Sequence, residues 1–458
     1  MKRKMDMNRS GNKTLIVFMM LLFMSFSLFG CGSKDTDKSN ENGKTVAVAE
    51  QSLYGHKLTG TLELKYSKEY SVSFYDGELT LIIVGEDRFL LIGDESGSES
   101  SDNDKNDVDD HGGVDDRDVV DGYDDIPEEA LQDEKNGKLV ILRKPLRNIY
   151  VASSSVMDYF DTLEALDTVT MTSTKAEDWS IEKIRQLVED DEISYVGKYS
   201  MPDYEYILDE ECGLAIENQM IYHSPETQEK LETLGIPVLV ERSSLEETPL
   251  GRMEWIKLYG ILTGRQNEAE AIFAEQEKRL SDVEEKLRTD VSVNDTTSSD
   301  NTHGDTDGKS DNKEKVSAVL YYINASGIPS VRNPHDYMVD LIKMSGAEYA
   351  FDDIGSGSSK TYINLQMEEF FARSDSIDVM IYNSNLGTSI DTIDNLIKQD
   401  NMLAEFKAVK NKNVWCYSQD SYQQPTKMPE MVEEMYMIFK YVRDGGEEPE
   451  LIYFKRLK

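Results

Sequence analysis

The segment from Pro249 to Leu287 limits what this chain can become more than any other. In its second half Ala269, Ile272, Phe273, Leu280, Val283 and Leu287 recur at three- and four-residue steps, the period of a helix with one buried face. Asn267 followed by Glu270 has the spacing of a capping box. A helix from Asn267 to Leu287, about 21 residues at ~1.5 Å each, is a rod of roughly 30 Å, the diameter of a small domain. On both sides of it short strand-like runs alternate with helices. A stiff rod between two such regions predicts two α/β bodies separated by a cleft.

The alternation begins at KLVILRKPLRNIYVAS and continues through strand runs VTMTST, ISYVG, CGLAIEN and PVLVERS. Helical segments SSVMDYFDTLEAL, IEKIRQLVED, PDYEYILDEE and SPETQEKLETLG lie between them. Such alternation means a mostly parallel sheet covered on both faces. After the rod it resumes with KVSAVLYYI, HDYMVDLIKMSG, DVMIYNS, SIDTIDNLIKQ, NVWCYS and a closing helix from Pro429 to about Arg443. The expected lobes are residues 137–248 and 316–458, with 249–288 as the helical region that links them.

The ends and inserts read differently. Residues 1–30 are a basic stretch and an apolar run ending in Leu28-Phe29-Gly30, with Cys31 next; this is a secretory signal. The last four of these residues resemble a bacterial lipobox, which implies a lipidated Cys31 as the first mature residue; a retained transmembrane anchor or a non-lipidated signal is the alternative. Residues 31–50 form a polar tether, and 51–93 a small β-meander in which Asp76-Gly77 marks a hairpin. Residues 94–136 are an acidic insert; Asp94 to Lys135 holds 18 acidic residues against Lys105, Arg117 and Lys135, a composition expected to be disordered. Its DNDKND run lacks the Gly and Glu that a calcium loop requires. A second polar insert, also expected to be disordered, spans 289–315.

Net charge is −39 for the whole chain, and −43 once Lys2, Arg3, Lys4, Arg9, Lys13 and Asp6 are set aside with the signal. Phosphate-backbone binding needs a basic footprint, so nucleic acid is not a partner. Cys212 and Cys416 sit in apolar strand contexts and are expected as buried thiols rather than a disulfide. Of five histidines, only His223 and His335 fall in the lobes, too few for an ordinary zinc or manganese site. No cofactor is expected.

The ordered series IYVASSSVMDYFDTLEAL, YEYILDEECGLAIENQMIYHSPETQEKLETLGIPVLVERS, EWIKLYGILTGRQNEAEAIFAEQ and LAEFKAVKNKNVWCYSQDSYQQPTKM resembles the substrate-binding lipoproteins of ABC importers. It is most similar to the branch for iron-siderophores, haem and vitamin B12. The resemblance covers about residues 139–458 without the insert. It implies two Rossmann-like lobes bridged by one long helix, little closure on binding, and a partner permease with its ATPase. It also implies an acidic residue on each lobe for docking the permease: Glu205, and Glu368 or its neighbour Glu369. Carboxylates at helix starts suit the helix dipole and meet arginines bidentately, although surface Glu there is also ordinary capping.

Open α/β sheets bind ligands at loops after strand ends. The ligand-facing candidates are Ser153, Ser154, Lys198, Tyr199, Tyr222, His223 and Arg252 before the rod, and Arg332, Asn383, Gln423, Gln424 and Met428 after it. Lys198, Arg252 and Arg332 suit an anionic ligand such as a carboxylate-bearing chelate or haem propionates; each is equally a candidate for a structural ion pair. Tyr222 or His223 is a candidate axial ligand to haem iron, with a structural histidine as the plainer reading.

The expected protein is therefore a lipid-anchored, extracytoplasmic receptor that hands an iron chelate, haem or corrinoid to a permease, and not an enzyme. Two other classes remain open. One is a surface protein that recruits ligand carriers through the meander and acidic inserts. The other is a hydrolase with cleft carboxylates, for which no nucleophile elbow, phosphate loop or metal cluster is present in the sequence.

Overall fold

The computed structural model describes residues 49–93, 126–296 and 315–458, apart from 356, 359, 385 and 418–421. The signal, Cys31, residues 94–125 and residues 297–314 lie outside the described residues. Those described belong to one compact unit, Val46–Lys458.

The connector is an unbroken α-helix, Gln266–Thr296, longer at both ends than its stripe predicts. Ala269, Phe273, Leu280 and Val283 are buried, with Ile272 and Leu287 partly so. Burial of each large apolar side chain stabilises by about 1.5–3 kcal/mol. The continuation past residue 288 corrects the expected start of the second insert. Asp290, near the helix end, accepts from Tyr436 Oη at 3.0 Å and pairs with Lys440 and Arg443 of the closing helix Met428–Asp444, each at 3.0 Å.

Two separate sheets flank the connector in sequence. In the first lobe the order is Val238–Val240, Leu214–Glu217, Ile149–Val151, Val169–Thr172 and Ser194–Tyr195, all parallel. The second lobe has a seven-stranded sheet. Its parallel strands, Glu348–Tyr349, Ser317–Ile323, Val379–Asn383 and Val414–Tyr417, are joined through antiparallel pairings by Pro329–Arg332, Tyr362–Asn364 and Phe454–Arg456. The hairpin that sends Pro329–Arg332 back along Ser317–Ile323 was not expected; Gly327, at φ 76°, makes its turn. The architecture is α/β.

The N-terminal module is a six-stranded sheet in sequence order. Five antiparallel strands from Ser52 to Ile92 form the meander, and Asp76-Gly77 turns one hairpin. The sixth strand, Val140–Arg143, pairs parallel with Asp87–Ile92, which corrects its placement in the first lobe. Helix Glu128–Lys135, with Ala130 buried and Ile126 tucked in just ahead of it, also packs on this sheet. That helix corrects the reading of 94–136 as wholly disordered: Ile126, Ala130 and Leu131 give this acidic stretch an apolar face.

The module is fastened to the helices before the connector through buried carboxylates. Glu254, fully buried, accepts the backbone N–H groups of Lys65, Tyr66 and Ser67 at 2.8–3.0 Å and pairs with Lys257 at 2.7 Å. Glu246 accepts from Lys68, Glu69 and the Trp255 indole. Tyr66 Oη reaches Glu277 on the connector itself at 2.7 Å. Cys212 and Cys416 are buried free thiols.

Candidate functional site

Parallel strands deliver their C-terminal ends, and the loops that follow, to one edge of each sheet. There a cavity of about 530 Å³ is lined by both lobes. The first lobe contributes Glu177, Asp178, Trp179 and Ser180, beyond the strand that ends at Thr172. From the second come Arg332, Asn383 and Tyr417, each the last residue of its strand, and Tyr337 and Met338 at the start of helix Tyr337–Met344. Leu320, Leu386 and Tyr422 complete the wall. The size suits a small-molecule site, and Trp179, Tyr337, Tyr417 and Tyr422 give it aromatic faces.

Arg332 is held rigidly. Its Nε and Nη2 donate to the two carboxylate oxygens of Asp336 at 2.7 and 2.9 Å, a bidentate pair that already balances its charge. Asp336 also accepts the N–H of Met338 and so caps the helix that carries Tyr337. The Tyr362 ring lies 4.7 Å from the guanidinium carbon, and its hydroxyl accepts from Asn383 Nδ2 at 2.8 Å. Arg252, on helix Pro249–Met253, sits behind the cavity wall, 4.9 Å from the Tyr337 ring centre.

The lobes are stapled beside this cavity. Gln423 is fully buried: its Oε1 accepts from Ser180 N and Oγ at 3.0 and 2.5 Å, and its Nε2 donates to Asp178 O at 2.9 Å. Thr426 N donates to Asp158 at 2.7 Å, and the Thr162 and Thr426 hydroxyls lie 3.0 Å apart. Burial pushes the Asp158 carboxyl up to about 7. Behind the first-lobe strand ends, burial likewise lifts Glu217 to about 8, and neither of its carboxyl oxygens has a hydrogen-bond partner among the described residues.

Of the twelve ligand-facing candidates, Arg332 and Asn383 line the cavity. Arg252 stands directly behind it, while Gln423 spends its amide on the other lobe. Met428 is buried at the head of the closing helix, and Gln424 is half-buried. Ser153 is buried and Ser154 half-buried just past the strand Ile149–Val151. Lys198 is exposed on the hairpin Gly197–Lys198/Met201–Pro202, with Tyr199 in its turn, and Tyr222 and His223 are exposed. Those six first-lobe residues are not part of the cavity wall. Glu205 and Glu368 are both exposed in the first turns of their helices, Tyr204–Asp209 and Met367–Phe371.

Trp179, Ser180 and Tyr337 were missed by sequence reasoning. The first two follow a strand run, a position that the strand-end rule covers, but an intervening short helical turn hid them. Tyr337 sits inside the helical run HDYMVDLIKMSG, outside the loops after strand ends from which the candidates were drawn.

No protein-family model matches the chain. An uncharacterized lipoprotein of Methanocaldococcus jannaschii is 23% identical over 430 residues, 90% of this chain and 88% of that protein. An uncharacterized protein of the same archaeon is 26% identical over 334 residues, 71% of this chain and 91% of the relative. Among solved structures, a periplasmic haem-binding protein from Pseudomonas aeruginosa covers 69% of this chain and 98% of its own, with 15% identity and a TM-score of 0.48. A periplasmic binding protein from Veillonella parvula covers 64% and 92%, with 16% identity and a TM-score of 0.49. A vitamin B12-binding protein from Vibrio cholerae covers 65% and 97%, with 14% identity and a TM-score of 0.43. The chain is similar to periplasmic binding proteins. Among the described residues no helix is long and apolar enough to cross a membrane.

Proposed function

We propose that this chain is an extracytoplasmic solute-binding lipoprotein of an ABC importer, anchored through Cys31, that captures an iron chelate, haem or corrinoid. The observation that carries the reading is the cavity of about 530 Å³ walled by strand ends of the second lobe and by Glu177, Asp178, Trp179 and Ser180 of the first, with one continuous helix joining those lobes in sequence. Two rigid walls and four aromatic side chains fit a large, partly apolar solute better than a bare ion. Exposed carboxylates at Glu205 and Glu368, one per lobe, give a permease two points to grasp, and its ATPase would drive release. Binding without chemistry requires only that the solute be held tightly enough to capture and loosely enough to surrender.

The full chain isolated from cells fed iron chelates, haem and corrinoid tests this. The reading expects visible absorbance from a bound chelate or macrocycle, with about one metal per chain. Colourless, metal-free protein that takes up none of the three afterwards would contradict it.

A further inference from the structure

The charged side chains of the cavity wall, among the described residues, are Glu177, Asp178 and Arg332. Arg332 is already balanced, because Asp336 holds it bidentately. Glu177 meets Lys175 at 3.4 Å. Behind the wall, Arg252 has Glu241 and Asp336 among the charges acting on it. Asp178 is what remains. It is exposed, and its carboxylate has no hydrogen-bond or ion-pair partner among the described residues.

The other lobe sets its position. The buried Gln423 donates from Nε2 to Asp178 O at 2.9 Å and to Tyr422 Oη at 3.1 Å, so one amide fixes both residues on the same side of the cavity. Burial raises the Tyr422 phenol, and the Asp178 charge adds to that rise against the hydrogen bond from Gln423; the two side chains feel each other. Tyr422 is 44% exposed and can be covered by a solute, while Trp179, next to Asp178, backs the same wall. A carboxylate without a partner beside an open aromatic ring attracts an organic ammonium twice, through its charge and through the ring quadrupole. A carboxylate-bearing arm would meet Asp178 with a like charge instead.

We propose that the cavity selects a solute with a positively charged arm, an ammonium seated at Asp178 against the Tyr422 ring. The inference rests on the cavity being the solute site, and it names the charge of that solute. It favours an amine-bearing chelate over haem with its propionates. It also reverses the anionic ligand that Lys198, Arg252 and Arg332 suggested in the sequence, since Lys198 lies on an exposed hairpin and the other two have acids beside them.

The test titrates the full chain calorimetrically with choline chloride and with 3,3-dimethylbutan-1-ol, its uncharged isostere, at ionic strength matched with sodium chloride. Choline should bind at least about tenfold more tightly than the alcohol, the worth of one charge-assisted contact. In Asp178→Asn that preference should fall below about threefold, while Glu177→Gln, one residue away, keeps it. Asp178→Asn should melt as wild type does in buffer, because an exposed side chain without partners is replaced. No saturable binding of choline, equal binding of the two probes by wild type, or a preference that Asp178→Asn retains or Glu177→Gln loses equally, would each overturn the proposal. Neither probe is a chelate, so the readout stands apart from the spectrum that tests the transport reading: a chelate-loaded, coloured protein indifferent to choline would sink this inference and leave that reading intact.

Discussion

At the scale of single residues, buried acids set how this protein should respond to pH. Glu217 is fully buried, with both carboxyl oxygens unpartnered among the described residues, and desolvation raises it from 4.5 to about 8. The folded chain thus keeps a proton that the unfolded chain releases above about pH 4.5. The stability that this provides is complete below that pH and is lost as pH climbs through 8. Asp158, raised from 3.8 to about 7, acts in the same direction. Glu217→Gln should unfold in urea like wild type at pH 4.5 and be more stable at pH 8.5, on the order of 3 kcal/mol. Identical midpoints at both pH values would show that Glu217 is solvated or paired. Sequence placed this residue at a strand end but gave no sign of its orphaned state, which arises only when Tyr150, Val240 and their neighbours close around it. Asn383 was legible because a strand's last residue is a local fact, whereas Arg332 was chosen as a loop residue and ends a hairpin strand that the sequence did not show. The fate of Gln423 was not, because its partners Ser180 and Asp178 lie more than 240 positions away in the chain.

At the scale of elements, the connector and the meander depend on each other. The connector was readable from its stripe because the period of a buried helix face is written in a single segment. The meander's strands were readable from alternation and from Asp76-Gly77. Its sixth strand was not: Val140–Arg143 is as apolar as any first-lobe strand, and only the register opposite Phe89 to Ile92 assigns it. Nor does a sequence show that Glu254 gathers three N–H groups from a loop some 190 residues earlier. Glu254→Ala would leave those donors and Lys257 without their acceptor in a closed space, and should cost about 3–5 kcal/mol. Chemical denaturation measures that loss, and hydrogen exchange should rise first at Lys65 to Ser67. An unchanged midpoint would mean that the module rides on the main body without gripping it.

At the scale of the whole molecule, two lobes of similar plan stand on one rod and are pinned together at Gln423 and Thr426. That arrangement favours small adjustments at the cavity over wide opening, so the permease should meet the same two carboxylates with or without solute. Glu205→Arg and Glu368→Arg, tested singly and together, should leave solute affinity unchanged and, if these carboxylates dock a permease as proposed, lower uptake by about tenfold or more, since each substitution reverses the charge offered for docking. Full uptake by the double variant would place docking elsewhere. Two-lobe order was legible because alternation of strands and helices repeats on either side of the stripe. The cavity's aromatic wall was not, because Trp179, Tyr337 and Tyr417 come from distant segments that meet only at the sheet edges.

The central claim, a solute gripped between the lobes, is tested most directly at Trp179. This residue is buried at 2% exposure but lies in the cavity wall, whereas Trp255 and Trp415 are fully buried and are not part of that wall. Titration of the full chain with haemin, a ferric hydroxamate chelate and cobalamin, followed by tryptophan fluorescence, should give saturable one-to-one quenching by at least one of them. Most of that quenching should vanish in Trp179→Phe while binding persists by absorbance. No saturable signal from any of the three, or a signal indifferent to Trp179→Phe, would contradict the account.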